Sequence, residues 1–530
     1  MTAADTLTLY DRLGAHPGAA GTRFAVRAPG ADRVSVVGDF NRWDPAAHPL
    51  VPVDDRFSAT VAEARPGARY RFHVVRDGSA ETVADPWATR LTADGDPVVW
   101  PLEYRWSDER WLRARPERRW VDGVMTVYGV DPVAWGRRPG EEGRPPVDDL
   151  GQRLGTYASR LGFSHVALRP LMLHPPEHGG PEAPTLAPDA RWGTPQELMA
   201  LIDELHRWEV GVILDWAPPA LVDAGRDEIA AAAALWIDRY HVDGLRLEHE
   251  LAATDPQAAL WSDALLQLAT SRPGTLVIAP WPERPPSGAG LVPDEAWSDR
   301  LLSYLAHDPI HRKHHHLQLT DALPSDGTRL APLDHRRTGL PSRMSGDTSQ
   351  RLATVRLLLA ISWCRPGVPL LFMGSELGQW SRWQAGEAVD WRLLDIEPHR
   401  GLHRLVGDLN RTLREVPALR DPVSAPAAFE WVDAADVEQS VVAFLRRGAD
   451  PSRPALVVLN CTPVPRANYR LGVPHGGRWR ELLNSDARDY GGSGRGNLGG
   501  VEASPIGAHG RPFSVSLTLP PLSLVLLAPE

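Results

Sequence analysis

The chain has 530 residues, of which 43% are hydrophobic and 23% are charged, and this composition excludes wholesale disorder. Its formal net charge is −10, and its 57 basic residues comprise one lysine, Lys313, and 56 scattered arginines. Because these arginines form no basic stripe, nucleic acid is not expected as a partner. No apolar run approaches the ~20 residues that span a bilayer, and no secretory signal pattern is visible. We therefore expect a cytoplasmic protein with no membrane partner.

Two residue types bear on the chemistry. The two cysteines, Cys364 and Cys461, lie in apolar stretches, so we expect both to be buried thiols. The chain also has 20 tryptophans. Because indole faces stack on the apolar faces of sugar rings, an acidic, tryptophan-rich chain gives a first indication of carbohydrate binding.

The first hundred residues have the pattern of a small all-β module. Apolar and polar residues alternate from Phe24, from Val34 and again over Tyr70–Val75, with turn-forming proline and glycine residues between these segments. The sequence therefore predicts a β-sandwich over residues 10–105. A linker rich in tryptophan and arginine is predicted over residues 106–123.

After the linker, short apolar strands alternate with helical patterns. The predicted strands include His165–Leu168, Val212–Trp216, Gly244–Leu247, Leu276–Ala279 and Leu370–Met373. One helix is predicted from Pro195 with Thr194 as its cap, and another over Asp227–Tyr240. Buried strands that alternate with helices predict a parallel sheet, and about 300 residues suit a (β/α)8 TIM barrel. We assign this barrel to residues 124–420, with a doubly wound sheet as the alternative.

Beyond residue 420 the chain returns to strand patterns. Ser440–Leu445 and Ala455–Asn460 are apolar runs, and Phe513–Leu519 alternates cleanly between apolar and polar residues. These patterns predict a C-terminal β-sandwich over residues 421–530. The whole chain is thus predicted to be a multidomain protein with a barrel between two β-domains.

Several segments carry more information than their periodicity. They are GDFNRWD (Gly38–Asp44), LGFSHVALRPLMLHP (Leu161–Pro175), GVILDW (Gly211–Trp216), RYHVDGLR (Arg239–Arg246), LLFMGSELGQW (Leu370–Trp380) and, near the C-terminus, NYRLGVP and YGGSG. In this order they resemble the bacterial 1,4-α-glucan (glycogen) branching enzymes of the α-amylase superfamily. The resemblance implies a glucan-binding β-sandwich module, a catalytic (β/α)8 barrel and a C-terminal β-sandwich. It also implies α-1,4-glucan, such as glycogen or a maltooligosaccharide, as the partner.

The resemblance implies a retaining reaction, in which a carboxylate nucleophile and a carboxylic acid about 5–5.5 Å apart flank the glycosidic bond. Glu248 occupies the nucleophile position, where the family has aspartate. The added methylene moves the carboxylate outward by about 1.5 Å, and a misplacement of ~1 Å can cost ~10²-fold in rate. We therefore expect Glu248 not to be competent.

The other two catalytic positions have no carboxyl group. By the resemblance, Pro280 stands at the position of the general acid and Arg336 at that of the third acid. The carboxyl group of Glu283 follows Pro280 in a proline-rich loop. Because one removed catalytic acid or base costs ~10²–10⁴-fold, these substitutions predict lost or severely reduced catalysis.

The resemblance implies four substrate-binding residues: Asp215, Arg246 and His335 in the barrel, and Trp43 in the N-terminal module. The three barrel residues fit equally well as structural residues of the barrel mouth. Trp43 also fits a buried position in a strand turn. Ala220 replaces a sugar-contacting histidine of the family, and a segment that the family carries after this position is missing.

An ion pair between Glu248 and Arg336 is expected at the barrel mouth, because the resemblance implies that each ends a barrel strand and that the two face a common pocket. Arg246 lies on the same strand face as Glu248 by period-two alternation, so it is expected to flank that pair.

No metal or cofactor is predicted. The run His311–His316 suggests a metal site, but the resembled family has a similar basic, histidine-containing stretch without a metal role, so surface or packing histidines are favoured. The chain shows no Gly-x-Gly-x-x-Gly after a strand and no P-loop.

Three functions follow as hypotheses. The first is an α-glucan-associated member of the branching-enzyme family with lost or reduced catalysis. The second is an active glycogen branching enzyme that uses Glu248. The third is a non-catalytic regulator or scaffold whose partner is another glycogen enzyme.

Overall fold

The computed structural model describes most of the chain. The described residues are 7–54, 56–118, 120, 123–137, 140–141, 143, 145, 147–169, 186–188, 193–216, 225–247, 256–281, 290–325, 327–334, 338–384, 386–420, 429–448, 450 and 452–530. The chain divides into two compact units. One comprises Met1–Arg118, Arg144–Gly155 and Leu168–Arg284, and the other comprises Arg119–Gly143, Thr156–Ala167 and Pro285–Glu530.

The N-terminal module consists of two antiparallel sheets. Its strands are β1 (Gly14–Gly18), β2 (Gly21–Val26), β3 (Arg33–Gly38), β4 (Val51–Val53), β5 (Arg56–Val61), β6 (Tyr70–Arg76) and β7 (Ser79–Val83). One sheet has the order β1-β2-β5-β4 and the other β3-β6-β7. Phe24, Val36 and Phe72 belong to one buried apolar cluster, so apolar residues of β2, β3 and β6 share a core.

Eight strands close into a barrel, in agreement with the predicted fold class. They are β8 (Val127–Val130), β9 (His165–Leu168), β10 (Gly211–Trp216), β11 (Gly244–Leu247), β12 (Leu276–Ile278), β13 (Gly290–Pro293), β14 (Arg329–Leu333) and β15 (Val368–Phe372). The barrel order is β10-β11-β12-β13-β14-β15-β8-β9. A closed barrel excludes the doubly wound alternative.

The helices begin with α1 (Glu109–Ala114), in the segment predicted as a linker. The others are α2 (Pro132–Gly136), α3 (Val147–Leu161), α4 (Pro195–Arg207), α5 (Arg226–Asp238), α6 (Pro256–Ser271), α7 (Glu295–Ala306), α8 (His316–Ala322), α9 (Leu340–Arg343), α10 (Thr348–Cys364) and α11 (Glu397–Glu415). Helix α4 has the predicted start: the Glu197 amide donates to the Thr194 hydroxyl, and the Thr194 amide donates to the Glu197 carboxylate. This reciprocal capping box satisfies two amides of the first turn. In the described part of the chain no helix is long and apolar enough to cross a membrane.

The C-terminal domain is all β. Its strands are β16 (Phe429–Asp433), β17 (Val441–Arg446), β18 (Ala455–Asn460), β19 (Arg466–Val473), β20 (Gly477–Asn484), β21 (Gly500–Ala503), β22 (Phe513–Leu519) and β23 (Ser523–Pro529). A six-stranded sheet of order β16-β17-β18-β23-β20-β21 accompanies a two-stranded sheet of β19 and β22. Trp479, Leu456 and Val515 share its buried core. Cys364 and Cys461 are buried free thiols, as predicted.

A buried network of charges fastens the segment before the barrel to the amino-terminal ends of β10 and β11. Asp243 directly precedes β11 and accepts hydrogen bonds from the Val212 amide at 2.8 Å and the Trp111 indole at 2.8 Å. His206 Nε2 lies 3.0 Å from Asp243, and its Nδ1 lies 2.8 Å from Asp108. All three ionisable side chains have no exposed surface.

The protonation of His206 follows from its two carboxylate partners. Both ring nitrogens donate a proton only in the imidazolium form. Burial alone would lower the pKa of His206, but the charges and hydrogen bonds of Asp243 and Asp108 outweigh burial and raise it above the ordinary value. Burial likewise raises the pKa of Asp108, but hydrogen bonds with His206 and His241 bring it down to about 2.

The network predicts how stability responds to pH in His206→Gln. Because the folded pKa of His206 is raised, its contribution is full below its unfolded pKa of about 6.5 and is lost as pH rises through the folded value. Removing one partner of a buried pair costs about 3–5 kcal/mol. We expect the melting temperature of His206→Gln, measured by calorimetry, to fall furthest below wild type near pH 6 and less at higher pH.

A matched control is His73→Gln, because the contact of His73 with Thr82 is exposed. This variant should melt as the wild type does at each pH. An equal deficit for His206→Gln from pH 6 to pH 9 would contradict the protonated assignment.

Candidate functional site

The site begins with Asp215, near the carboxyl end of β10. All six residues of this strand, GVILDW, are buried. Strands β10 and β11 are parallel neighbours in a register that sets Asp215 beside Arg246. Both residues therefore lie at the end of the barrel where TIM-barrel enzymes place their active sites.

Asp215 is held by two arginines. Arg246 donates through Nε to Oδ1 of Asp215 at 2.6 Å and through Nη2 to Oδ2. Arg169, the first residue after β9, donates through Nε to Oδ2 of Asp215 at 2.5 Å. The two-bond contact with Arg246 is the strong, oriented form of an arginine–carboxylate pair. We call these three residues the Asp215 trio.

Burial and charge determine the state of the trio. The side chain of Asp215 is 0% exposed, whereas those of Arg246 and Arg169 are 11% and 12% exposed. Burial alone would raise the pKa of Asp215, but the charges of Arg246 and Arg169 lower it below the ordinary value. Asp215 is therefore ionised at neutral pH, and its carboxylate is covered by its partners.

Pro280 lies two residues beyond the end of β12 and is half-buried. It follows Ala279, whose carbonyl accepts a hydrogen bond from the Trp281 amide at 2.9 Å. A pyrrolidine ring has no titratable proton, so Pro280 cannot act as a proton donor at the carboxyl end of the barrel strands. Glycosidic bond cleavage by the retaining route needs a carboxylic acid as proton donor.

Several predicted site residues lie outside the described residues. They are Glu248, Glu283, His335 and Arg336. The ion pair between Glu248 and Arg336 therefore stays a prediction. An arginine–carboxylate cluster is present at the ends of β9, β10 and β11, but it is built on Asp215.

Trp43 lies in the N-terminal module, in the turn after β3. Its amide donates to the Gly38 carbonyl at 3.0 Å, and both Arg42 and Trp43 have positive φ, of 55° and 64°. The indole is half-buried, and the Arg69 guanidinium lies 5.8 Å from its centroid. An exposed two-bond contact of Arg69 with Asp39 fixes that guanidinium.

The histidine run has packing and surface positions. His316 is buried and its Nε2 lies 2.8 Å from the Ala434 carbonyl, whereas His311 and His314 are exposed. The rings of His307 and His315 stack at 3.6 Å. Among the residues that the structure describes, no group of three or more His, Cys, Asp or Glu side chains is arranged to hold a metal ion.

Sequence reasoning missed Arg169 as a site residue. The signal was available, because Arg169 is a charged residue directly after the fully buried strand HVAL. Charged residues at the carboxyl end of a barrel strand indicate function more often than packing. The sequence predicts the strand His165–Leu168 but assigns no role to the residue that follows it.

Glu376, in the turn after β15, was also missed. This fully buried carboxylate accepts hydrogen bonds from the hydroxyls of Tyr128 at 2.7 Å and Tyr157 at 2.8 Å. Burial raises its pKa. Tyr128 belongs to β8 and Tyr157 to α3, so Glu376 joins three elements and has a structural role.

Two family profiles match the β-domains at the two ends of the chain. The profile for carbohydrate-binding module 48 (isoamylase N-terminal domain) matches residues 12–88. The profile for the alpha amylase C-terminal all-beta domain matches residues 431–530.

Homologous bacterial proteins align with nearly the whole chain. The 1,4-alpha-glucan branching enzyme GlgB of Aquifex aeolicus (strain VF5) is 36% identical over 608 aligned residues, which cover 98% of this chain and 96% of the relative. The enzyme of the same name from Albidiferax ferrireducens is 36% identical over 605 residues, with 98% and 96% covered. The aligned length exceeds the 530 residues of this chain, so the relatives contain segments that this chain lacks.

Solved structures share the fold at low sequence identity. Pullulanase type I from Bacillus subtilis str. 168, complexed with maltose, superimposes with a TM-score of 0.73 at 17% identity, covering 100% of this chain and 87% of the pullulanase. A putative alpha amylase from Salmonella typhimurium gives 0.68 at 16% identity, with 98% and 99% covered.

The Asp215 trio predicts a strong stability effect. In Asp215→Ala two guanidinium groups lose their shared buried counter-charge, and breaking a buried pair costs about 3–5 kcal/mol. We expect a clearly lower melting temperature by calorimetry at neutral pH. The control is Asp39→Ala, whose pair with Arg69 is 38% and 46% exposed and therefore contributes little to stability. Equal melting temperatures for the two variants would show that the trio does not stabilise the barrel.

Proposed function

Because the chain belongs to the 1,4-alpha-glucan branching enzyme family, we propose that it is an α-glucan-associated member with lost or severely reduced catalysis. The family membership is the basis for the proposed association with glycogen. The loss of catalysis is our own inference from the candidate site.

The observation that carries this inference is Pro280. It stands just beyond the carboxyl end of β12, where the family resemblance puts the general acid. Proton donation to the leaving oxygen is worth ~10²–10⁴-fold, and proline has no proton to donate. Arg336 at the third acid position and Glu248 in place of aspartate point the same way.

The Asp215 trio supports the inference independently. The resemblance implies that Asp215 and Arg246 contact substrate. In this chain they bind each other, and Arg169 covers the second carboxylate oxygen. A carboxylate with no exposed surface offers no hydrogen-bond acceptor to a sugar unless the ion pairs separate.

We assign glucan binding to the N-terminal module, proposed to span residues 10–105, with Trp43 as its sugar-stacking residue. The match to carbohydrate-binding module 48 and the half-buried indole support this assignment. The proposed linker spans 106–123, the barrel 124–420 and the C-terminal domain 421–530. We propose a cytoplasmic location, where glycogen is made.

An active branching enzyme that uses Glu248 is the second candidate. It is favoured by 36% identity over 98% of the chain to proteins named as branching enzymes. A scaffold that pairs with another glycogen enzyme is the third, and it requires no sugar affinity. Turnover separates the second candidate from the others, and glucan affinity separates the first from the third.

Catalysis is tested by incubating the purified protein with amylose. We expect neither new α-1,6 linkages by NMR nor a change in the iodine spectrum, because no acid is present at position 280. The matched variant is Glu248→Gln, which removes the remaining carboxylate at the nucleophile position. Branching by the wild-type chain that disappears in Glu248→Gln would overturn the proposal in favour of an active enzyme.

Glucan binding is tested by affinity electrophoresis in gels with and without glycogen. We expect glycogen to retard the full-length protein and Trp43→Ala to lose most of this retardation, because aromatic stacking carries much of the affinity. The control is Trp383→Ala, since Trp383 lies outside the N-terminal module and packs on Phe372. Identical migration of the wild-type protein in both gels would favour the scaffold hypothesis.

A further inference from the structure

The segment His307–His316 runs from the end of α7 to the first residue of α8 and contacts the C-terminal domain. We call it the histidine segment. The Arg312 guanidinium has no exposed surface and donates through Nη1 to the Cys461 carbonyl at 2.6 Å. His316 Nε2 lies 2.8 Å from the Ala434 carbonyl. Two connections of the C-terminal domain, after β16 and after β18, therefore bind side chains of this segment.

Two rings of the histidine segment lie face to face. The ring centroids of His307 and His315 are 3.6 Å apart, and the ring planes differ by 8°. Both residues are half-buried, so protons from solvent can reach them. Neutral aromatic rings stack favourably, but two imidazolium rings at this distance repel each other, because the repulsion between like charges increases as their separation falls.

The surroundings of the stack add positive charge. Arg312 also donates through Nε to the His307 carbonyl at 3.2 Å and through Nη2 to the Leu305 carbonyl at 2.7 Å. Its hydrogen bonds thus go to carbonyl groups. Asp308 is the one acidic residue in the sequence of the segment; it is exposed, and its Oδ1 accepts from the Ile310 amide at 3.0 Å.

Two further elements contact the segment with polar side chains. Glu438, which precedes β17, pairs with Lys313 at 2.9 Å, and the two side chains are 78% and 36% exposed. Ser345, which precedes α10, donates its hydroxyl to the His307 carbonyl at 2.9 Å. The Glu438 carboxylate is therefore engaged by a lysine at the surface, and Ser345 brings no charge.

Burial and charge favour the neutral form of His307. Burial lowers its pKa most, and the charges of His315, Arg312 and His311 lower it further, whereas the Gln318 side chain from α8 raises it. The folded pKa therefore lies below the unfolded value of about 6.5. The contribution of the neutral ring to stability is full above the unfolded pKa and is lost as the pH falls through the folded value.

From these contacts we propose that the histidine segment is a pH-sensitive switch at the junction of the barrel and the C-terminal domain. The neutral stack of His307 and His315 keeps the segment in place. When both rings are protonated in mildly acidic solution, they separate, and the contacts of Arg312 and His316 with the C-terminal domain open. The switch goes beyond the proposed function, because it needs neither glucan nor catalysis.

The test is hydrogen–deuterium exchange of the full-length protein, read by mass spectrometry at pH 5.5 and pH 7.5 and corrected for the intrinsic exchange rate. Exchange of amides reports local opening. We expect the histidine segment and the two connections that it contacts to exchange at least about threefold faster at pH 5.5. His315→Phe should lose most of this increase, because phenylalanine keeps a ring in the stack but binds no proton.

The matched control is His314→Phe, since His314 is exposed and its ring lies 6.4 Å from that of His311. This variant should keep the increase of the wild type. An increase of the same size in His315→Phe would show that the stack is not the switch. Equal corrected rates of the wild type at both pH values, or an equal increase in every domain, would also overturn the proposal.

A second measurement decides the question if His315→Phe does not fold. Salt screens repulsion between partly exposed charges. The increase at pH 5.5 in the wild-type protein should therefore become smaller in 0.5 M NaCl. An increase that salt leaves unchanged would contradict charge repulsion as its cause.

Discussion

A buried carboxylate in a protein interior must be paired, because leaving an ionised group without a partner costs several kcal/mol (on the order of 3–5). The barrel strands β10 and β11 have a buried carboxylate at each end, and both carboxylates are paired. Asp243 is paired with His206 at their amino-terminal ends, and Asp215 is paired with Arg246 and Arg169 near their carboxyl ends. The apolar strand interiors lie between these two charged clusters.

The two clusters differ in what they connect. The Asp243 cluster joins a segment that precedes the barrel to two of its strands, through the Trp111 indole and the Val212 amide. The Asp215 trio joins only strand ends. Because all three charged groups of the trio belong to the chain itself, its stability does not depend on a bound substrate. A barrel built in this way can fold whether or not it is catalytically active.

The sequence predicted the order of domains and the fold class because these depend on periodicity and length. The strands β9, β11 and β18 were predicted with the bounds that the structure has, since each is a short, mostly apolar run bounded by a turn or helix signal. Periodicity did not predict β8, β13 and β14 as barrel strands. Each contains a glycine or proline, and such residues normally indicate a break.

The candidate site was predicted less completely. Asp215 and Arg246 were identified through a resemblance, and their pairing depends on the register of β10 and β11, which periodicity does not determine. Arg169 lies in a different strand connection, and nothing local in HVALR shows that its guanidinium meets Asp215. The helix α1 was assigned to a linker because its six residues are too few for a helical period to be visible.

The turn after β3 has a further consequence for recognition. Two successive non-glycine residues, Arg42 and Trp43, have a left-handed backbone there, a conformation that costs free energy and persists only where its surroundings hold it. The Gly38 carbonyl and the Arg69 guanidinium provide that restraint. The backbone that carries the indole is therefore held in place by contacts within the module. If a sugar ring stacks on Trp43 as we propose, this turn needs no reordering of its backbone, which keeps the conformational entropy lost on binding small.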